Sequence, residues 1–153
     1  MRSGTRLGID VGKVRVGVAR SDPHGMLATP VETVQRADKS LKRVLALAEE
    51  HNAVELVVGL PIALSGRDTA STGDARDFAR QLAEGSPLPV RLVDERMTTM
   101  TAQSALRASG RNSKNSRSVV DQVAAVIILQ HALDFERSAG RPPGELVEPT
   151  KEP

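Results

Sequence analysis

The sequence contains no cysteine, no tryptophan and no tyrosine, and its only phenylalanines are Phe78 and Phe135. Without thiols there are no disulfides, no thiolate metal sites and no cysteine nucleophile. With so few aromatic rings, a surface that holds single-stranded bases by stacking is hard to build. No apolar run approaches the roughly 20 residues that cross a bilayer. The opening MRSGTRLGID runs straight into an apolar strand and carries no signal-peptide core. These absences predict a cytoplasmic protein without membrane attachment. A large charge excess is lacking too: 21 Lys and Arg stand against 19 Asp and Glu, a net charge of +2. Bulk charge of that size names no partner. Its distribution is more informative, because Arg107, Arg111, Lys114 and Arg117 fall together with no intervening acid.

At 153 residues the chain suits one domain. RLGID and VRVGVARS flank a glycine-containing turn and predict a β-hairpin. MLATPVETV predicts a third strand, placed at a sheet edge by Pro30. KSLKRVLALAEEHN and TGDARDFARQLAEG carry helical periodicity, the second ending at Gly85. VELVVGLP and LPVRLVDER are short apolar runs that predict buried strands. TTMTAQSALRASG predicts a further helix, RNSKNSRS a polar basic loop, and SVVDQVAAVIILQHALDFER the longest and most apolar helix. The order is that of an α/β domain. Its central sheet is mixed, a three-strand meander followed by two parallel strands, and helices flank it. The domain is expected over 1–138. The Pro-, Gly- and Glu-rich segment 139–153 has no periodicity and is expected to be disordered.

Acids stand in three places where an ordinary core would not put them. Asp10 ends the first strand, Asp94 and Glu95 end the last apolar strand, and Asp121 begins the longest helix. Each has a local explanation. Asp10 suits an Asx turn over DVGK, Asp94 suits a helix cap, and SVVD matches a capping box with Ser118 as N-cap and Asp121 at N3. Against the last, Asp121 shares a helical face with Ala124, Ala125 and Ile128, an apolar face of small residues that must pack on the sheet. Converging carboxylates require a cation, since their mutual repulsion otherwise raises a pKa sharply. Oxygen donors without Cys or His suit Mg²⁺ or Mn²⁺, and paired ions of this kind assist in-line attack on phosphodiesters. The three histidines, His24, His51 and His131, have no metal-ligand spacing.

GIDVGKVRVGVARSD, VVGLP, VDERMTT and DQVAAVIILQ, in this order, resemble the YqgF/RuvX-like family of the RNase H-like superfamily. The resemblance runs from about Arg6 to His131. It implies an RNase H-like fold and a metal-dependent nuclease, with two activities described in the family: maturation of the 5′ end of pre-16S rRNA, and resolution of Holliday junctions. By motif match Asp10, Glu95 and Asp121 correspond to the family's acidic triad, holding Mg²⁺ or Mn²⁺; Asp94, adjacent to Glu95, is the alternative second member. Gly12 then makes the tight turn after Asp10, and Gly17 leaves room on the second strand.

Lys13 and Arg15 flank that turn and are candidates for phosphate contact, as are Arg111, Lys114 and Arg117 in the basic segment before Asp121. GLPIALSGRDTAST is a long loop after a strand, but it lacks the Gly-Lys-[Ser/Thr] of a nucleotide-phosphate cradle. The expected partner is structured RNA or branched DNA, bound by a monomer or a homodimer; a resolvase cutting two strands symmetrically favours the dimer. Two other classes compete. GIDVG followed by VGVA also resembles the first phosphate loop of actin-like and sugar-kinase-like ATPases, which need two such domains where this length supplies one. A binding scaffold without catalysis would have no use for the complete acidic set.

Overall fold

The computed structural model describes residues 2–95 and 113–148, the second span with side chains from Gln122 onward. The elements follow in the order β1 (Thr5–Val11), β2 (Arg15–Ser21), β3 (Ala28–Gln35), α1 (Ser40–Glu50), β4 (Ala53–Leu60), α2 (Ala70–Gly85), β5 (Val90–Asp94), α3 (Ser113–Ala139) and β6 (Glu145–Leu146). The six described strands form one sheet in the order β3-β2-β1-β4-β5-β6. β1, β2 and β3 are an antiparallel meander, whereas β4 and β5 add parallel to β1. This is the expected α/β architecture, with β3 and its Pro30 at the edge.

Alternation along β1 explains why its sequence reads as one apolar run: the central strand is buried on both faces. Leu7 and Ile9 enter a core with Val44 and Leu47 of α1 and with Phe78, Ala79 and Leu82 of α2. The opposite face carries Gly8, against which α3 packs. A Cβ on Gly8 would stand 2.6 Å from Leu129 Cβ and 2.9 Å from the carbonyl oxygen of Ala125. The surrounding residues are also small or apolar: Ala19, Ala28, Val57, Ala125 and Ala132, closed by Ile128, Leu129 and Leu133. Small residues on both sides let the helix lie directly on the strands.

The same helix is fastened at its other end by ionic bonds. Arg2 Nε and Nη2 donate to Glu136 at 2.9 and 2.7 Å, while Arg2 Nη1 and Nη2 donate to Glu55 at 3.1 and 3.0 Å. Arg91 Nε donates to Glu55 at 2.9 Å, and Arg6 Nη2 reaches Glu136 at 3.4 Å. Arg6, Glu55 and Glu136 are buried, so each charge depends on its partners to offset the loss of water. β1, β4, β5 and α3 are thereby joined at the start of the parallel strands.

Three expectations need correction. The segment beyond Ala139 is ordered at least as far as residue 148. Glu145 and Leu146 pair with Leu92 and Arg91, and Val147 N donates to Val90 O at 2.8 Å. Gly140 and Gly144, at φ of +73° and +64°, turn the chain back towards β5; two residues of strand are too few to leave a period in the sequence. The basic segment is not a loop throughout, because α3 begins at Ser113. RNSKNSRS lacks an apolar period, but from Asn112 onward it also lacks any Gly or Pro to stop a helix. Ser118 consequently lies inside α3, which removes the capping-box explanation of Asp121. The helix expected over TTMTAQSALRASG lies outside the described residues.

Two measurements check this packing. Hydrogen bonds from Arg2 outweigh burial and hold the Glu136 carboxyl down at about 2, from an ordinary 4.5. A pKa lowered in the folded state stabilises above the unfolded value and ceases to do so as pH falls through the folded one. Glu136→Gln is therefore expected to cost about 2–3 kcal/mol at neutral pH, the figure being discounted because Arg2 is partly exposed. In urea titrations the gap from wild type should close between pH 4.5 and 2; a gap independent of pH would remove the ionic contribution. Gly8→Ala should destabilise by about 1–3 kcal/mol through overpacking, read as a lowered melting temperature. An unchanged melting temperature would mean that α3 lifts off the sheet without cost.

Candidate active site

Asp10 is the penultimate residue of β1 and pairs with Gly17 of β2, which in turn pairs with Thr33 of β3. On the other side Gly8 pairs with Val57 and Ile9 with Val58, so the register carried onward sets Gly59 beside Asp10. Asp10 and Gly8 are two apart and share the face covered by α3. Gly17 on β2 and Gly59 on β4 place no side chain of their own beside the half-buried Asp10.

Glu95 follows β5 directly. Its backbone N donates to Leu60 O at 3.2 Å, and its side chain is buried, at 8% exposure. A Cβ on Gly59 would stand 2.2 Å from Glu95 Oε2 and 2.5 Å from Ile128 Cδ1. The Glu95 carboxylate therefore lies over the bare backbone of Gly59 on β4, beneath α3, and the backbone of β1, which carries Asp10, is the next strand across. Asp94 has the other orientation: it alternates with Glu95, falls on the face of Leu92, and is exposed. The backbone thus turns Glu95, and not Asp94, to the face of Asp10.

α3 runs antiparallel to β1. Glu136 meets Arg6 at the start of the strand, Leu129 and Ala125 cover Gly8, and Gln122 Nε2 donates to Thr33 Oγ1 at 2.9 Å, in the strand row of Asp10. The helix backbone at Asp121 is adjacent to that row; the Asp121 side chain lies outside the described residues. Among the described residues no three His, Asp or Glu side chains make a metal-holding group. Oxygen donors on β1 and at the end of β5, with Gly59 of β4 between them where a Cβ would fill the space, nevertheless suit a hard divalent cation.

Of the candidate substrate contacts, Lys13 is exposed on the β1–β2 turn. Arg15 opens β2 and alternates with Gly17, which turns it to the face of Asp10. Lys114 and Arg117 belong to the first turns of α3 by backbone, their side chains outside the described residues, and Arg111 lies wholly outside them. The loop after β4 is a braced turn. Ile62 bridges Asp68, Thr69 and Thr72 form a capping box at α2, and the Thr72 hydroxyl donates to Pro61 O. None of the histidines joins the carboxylates: His24 sits in a turn, His51 meets Arg20 at 3.1 Å, and His131 is exposed on α3.

Sequence reasoning missed Gly59 as a site residue. Its signal was present, since a glycine inside a strand marks a close approach by another group. Gly59→Ala should displace Glu95 and lower catalytic turnover at least tenfold, with a folded circular-dichroism spectrum retained. Full turnover in that variant would show that the position of Glu95 over β4 is irrelevant.

A mixed sheet with acids at the carboxyl ends of β1 and β5, the parallel strands on either side of β4, covered on that face by one long helix, is an α/β architecture with an RNase H-like fold. The structure of Thermus thermophilus RuvC in complex with a Holliday junction substrate shares this fold. Its TM-score is 0.59 and its identity 19%, over 92% of this chain and 99% of that one. The profile of the RuvX family, described as Holliday junction resolvase, matches residues 4–135. The chain belongs to the RuvX family, a family of nucleases. Relatives named "Putative pre-16S rRNA nuclease" include one from Clavibacter michiganensis, 64% identical over 96% of this chain and 93% of its own length. One from Streptomyces coelicolor is 56% identical over 97% and 90%. One from Mycolicibacterium paratuberculosis is 57% identical over 93% and 87%.

Proposed function

We propose that the protein hydrolyses phosphodiester bonds in the 5′ processing of precursor 16S rRNA, in the cytoplasm, and that it does so with Mg²⁺ or Mn²⁺ held by Asp10, Glu95 and Asp121. The observation that carries the reading is the Glu95 carboxylate laid over Gly59, on the face of the sheet that Asp10 shares. Carboxylates gathered on one face under a helix suit a shared hard divalent cation. The substrate is drawn from the names of the relatives. When bound, a divalent ion supplies electrophilic stabilisation of the phosphate under attack. The chain's own residues do the rest. Asp10 and Glu95 would hold the ion from β1 and β5, on either side of β4, and α3 closes one side against bulk water. Lys13 and Arg15 meet backbone phosphates near the β1–β2 turn, and Arg111, Lys114 and Arg117 meet them from the segment that leads into α3.

Cleavage of a four-way junction is the second reading, favoured by the family's description. Precursor 16S rRNA, a four-way junction and a linear duplex, each offered with Mg²⁺, Mn²⁺ and EDTA, separate the readings. Cleavage of the precursor alone is expected. Cleavage of the junction alone reverses the order, and no cleavage of any substrate removes both.

Asp10→Asn and Glu95→Gln are each expected to lower turnover by at least a hundredfold, while Asp94→Asn retains it within a factor of three. Loss of activity confined to Asp94→Asn would reassign the second acid. Asp121→Asn is expected to leave the metal-free melting temperature unchanged or raised, and to shrink the upward shift that saturating Mg²⁺ or Mn²⁺ gives the wild type. An undiminished metal shift with normal cleavage would leave Asp121 without a part in the site.

A further inference from the structure

Arg36, the residue after β3, is the one described side chain that joins the β1–β2 turn to α2. Its backbone N donates to Val14 O at 2.8 Å, and its Nη1 donates to Gly12 O at 2.8 Å. It therefore holds both limbs of a turn that closes on itself through Gly12 N and Arg15 O, 2.9 Å apart. The same guanidinium forks onto Asp74 of α2, with Nη1 to Oδ2 at 2.8 Å and Nη2 to Oδ1 at 2.7 Å. It also lies 5.3 Å from the centre of the Phe78 ring. Bidentate carboxylate pairing fixes the guanidinium plane as well as its place, and the ring beneath excludes water from one side. Asp74 is itself fixed, standing in the second turn of a helix whose N-terminus is closed by Thr69 and Thr72.

What this arrangement holds still is the exposed cation at the tip of the turn. Lys13 stands between Gly12 and Val14, whose carbonyls are the two that Arg36 grips. Asp10 does not need the clamp, since β1 pairs with β2 through Val11 opposite Val16. The Asp74 carboxyl is held low chiefly by the Arg36 hydrogen bonds and further by the Lys13 charge, so the anion faces both cations.

We infer that Arg36, locked by Asp74, is a positioning residue for substrate binding: it fixes the β1–β2 turn so that Lys13 meets a phosphate of the nucleic acid. This rests on the nuclease reading above. A preset cation binds more tightly than one that must first be ordered, so the clamp acts on substrate affinity and not on the chemical step.

The test uses the full chain, Arg36→Ala, Asp74→Asn and Lys13→Ala singly, and the double variant Arg36→Ala/Lys13→Ala. Steady-state cleavage of a labelled RNA fragment spanning the 5′ end of precursor 16S rRNA is followed in Mg²⁺ across a salt series, with amide hydrogen exchange over residues 12–15. Arg36→Ala and Asp74→Asn are expected to raise KM about fivefold, with kcat within a factor of two, and to speed exchange in the turn. Lys13→Ala should raise KM similarly and reduce the salt slope by about one. The double variant should be no worse than Lys13→Ala alone, which a merely structural contribution of Arg36 does not produce. Unchanged exchange in both Arg36→Ala and Asp74→Asn overturns the clamp whatever the activity. Faster exchange with unchanged KM, or KM losses that multiply in the double variant, overturns the positioning role and leaves the nuclease reading standing. Failure of the wild type to cleave the fragment overturns the nuclease reading and this inference with it. A fall in kcat at constant KM would assign Arg36 to the chemical step instead.

Discussion

The approach of α3 to the bare backbone of β1 and β4 is the constraint on which the rest of the molecule depends. Gly8 and Gly59 each stand where a side chain would collide with the helix or with Glu95. Because neither strand contributes a Cβ at these points, the helix comes down to van der Waals contact and seals one face of the sheet. The same absence leaves the space over Gly59 that the Glu95 carboxylate occupies. Close packing and the acidic pair are thus one feature. A bulkier strand would lift the helix and fill the space between the acids in a single change.

The two ends of α3 are held in different ways. Towards its C-terminus Glu136 is gripped by Arg2 and Arg6, and Glu55 by Arg2 and Arg91. Arg6, Glu55 and Glu136 are buried there, at the start of the parallel strands, and are engaged with one another through the partly exposed Arg2. Towards its N-terminus the helix meets the carboxyl ends of the strands, where the acids are and where such sheets present their chemistry. Buried charges are thus paired within the protein at one end of the sheet, and the acids proposed to hold a cation stand at the other.

Much of this was legible in the sequence. The meander, the two parallel strands, the edge position of Pro30 and the helices α1 and α2 all follow from periodicity and turn chemistry, because each element buries a regular face. The alternation of β5 was legible in principle, since Leu92 and Glu95 must face opposite ways; yet Asp94 and Glu95 are neighbours just where the strand ends, and the residue at which the pleat stops cannot be read from residue types. The early start of α3 was hidden because residues 113–118, SKNSRS, include no apolar residue that would mark a helix by period. β6 was hidden because it is held by main-chain bonds to β5, which leave no trace in side-chain chemistry. Arg36 was hidden for a related reason: its partners Gly12 and Asp74 are distant along the chain, and only the folded sheet brings them to it.

β6 carries a consequence of its own. Paired with Arg91 and Leu92, it occupies the outer rim of β5, a strand that parallel addition would otherwise leave with its amide and carbonyl groups facing outward. An uncovered rim of this kind is a template for another strand and a route to aggregation. Few as they are, the residues after the last helix act as a guard against self-association. A shorter version of this chain ending at Ala139 would keep all three candidate acids and leave the rim of β5 uncovered.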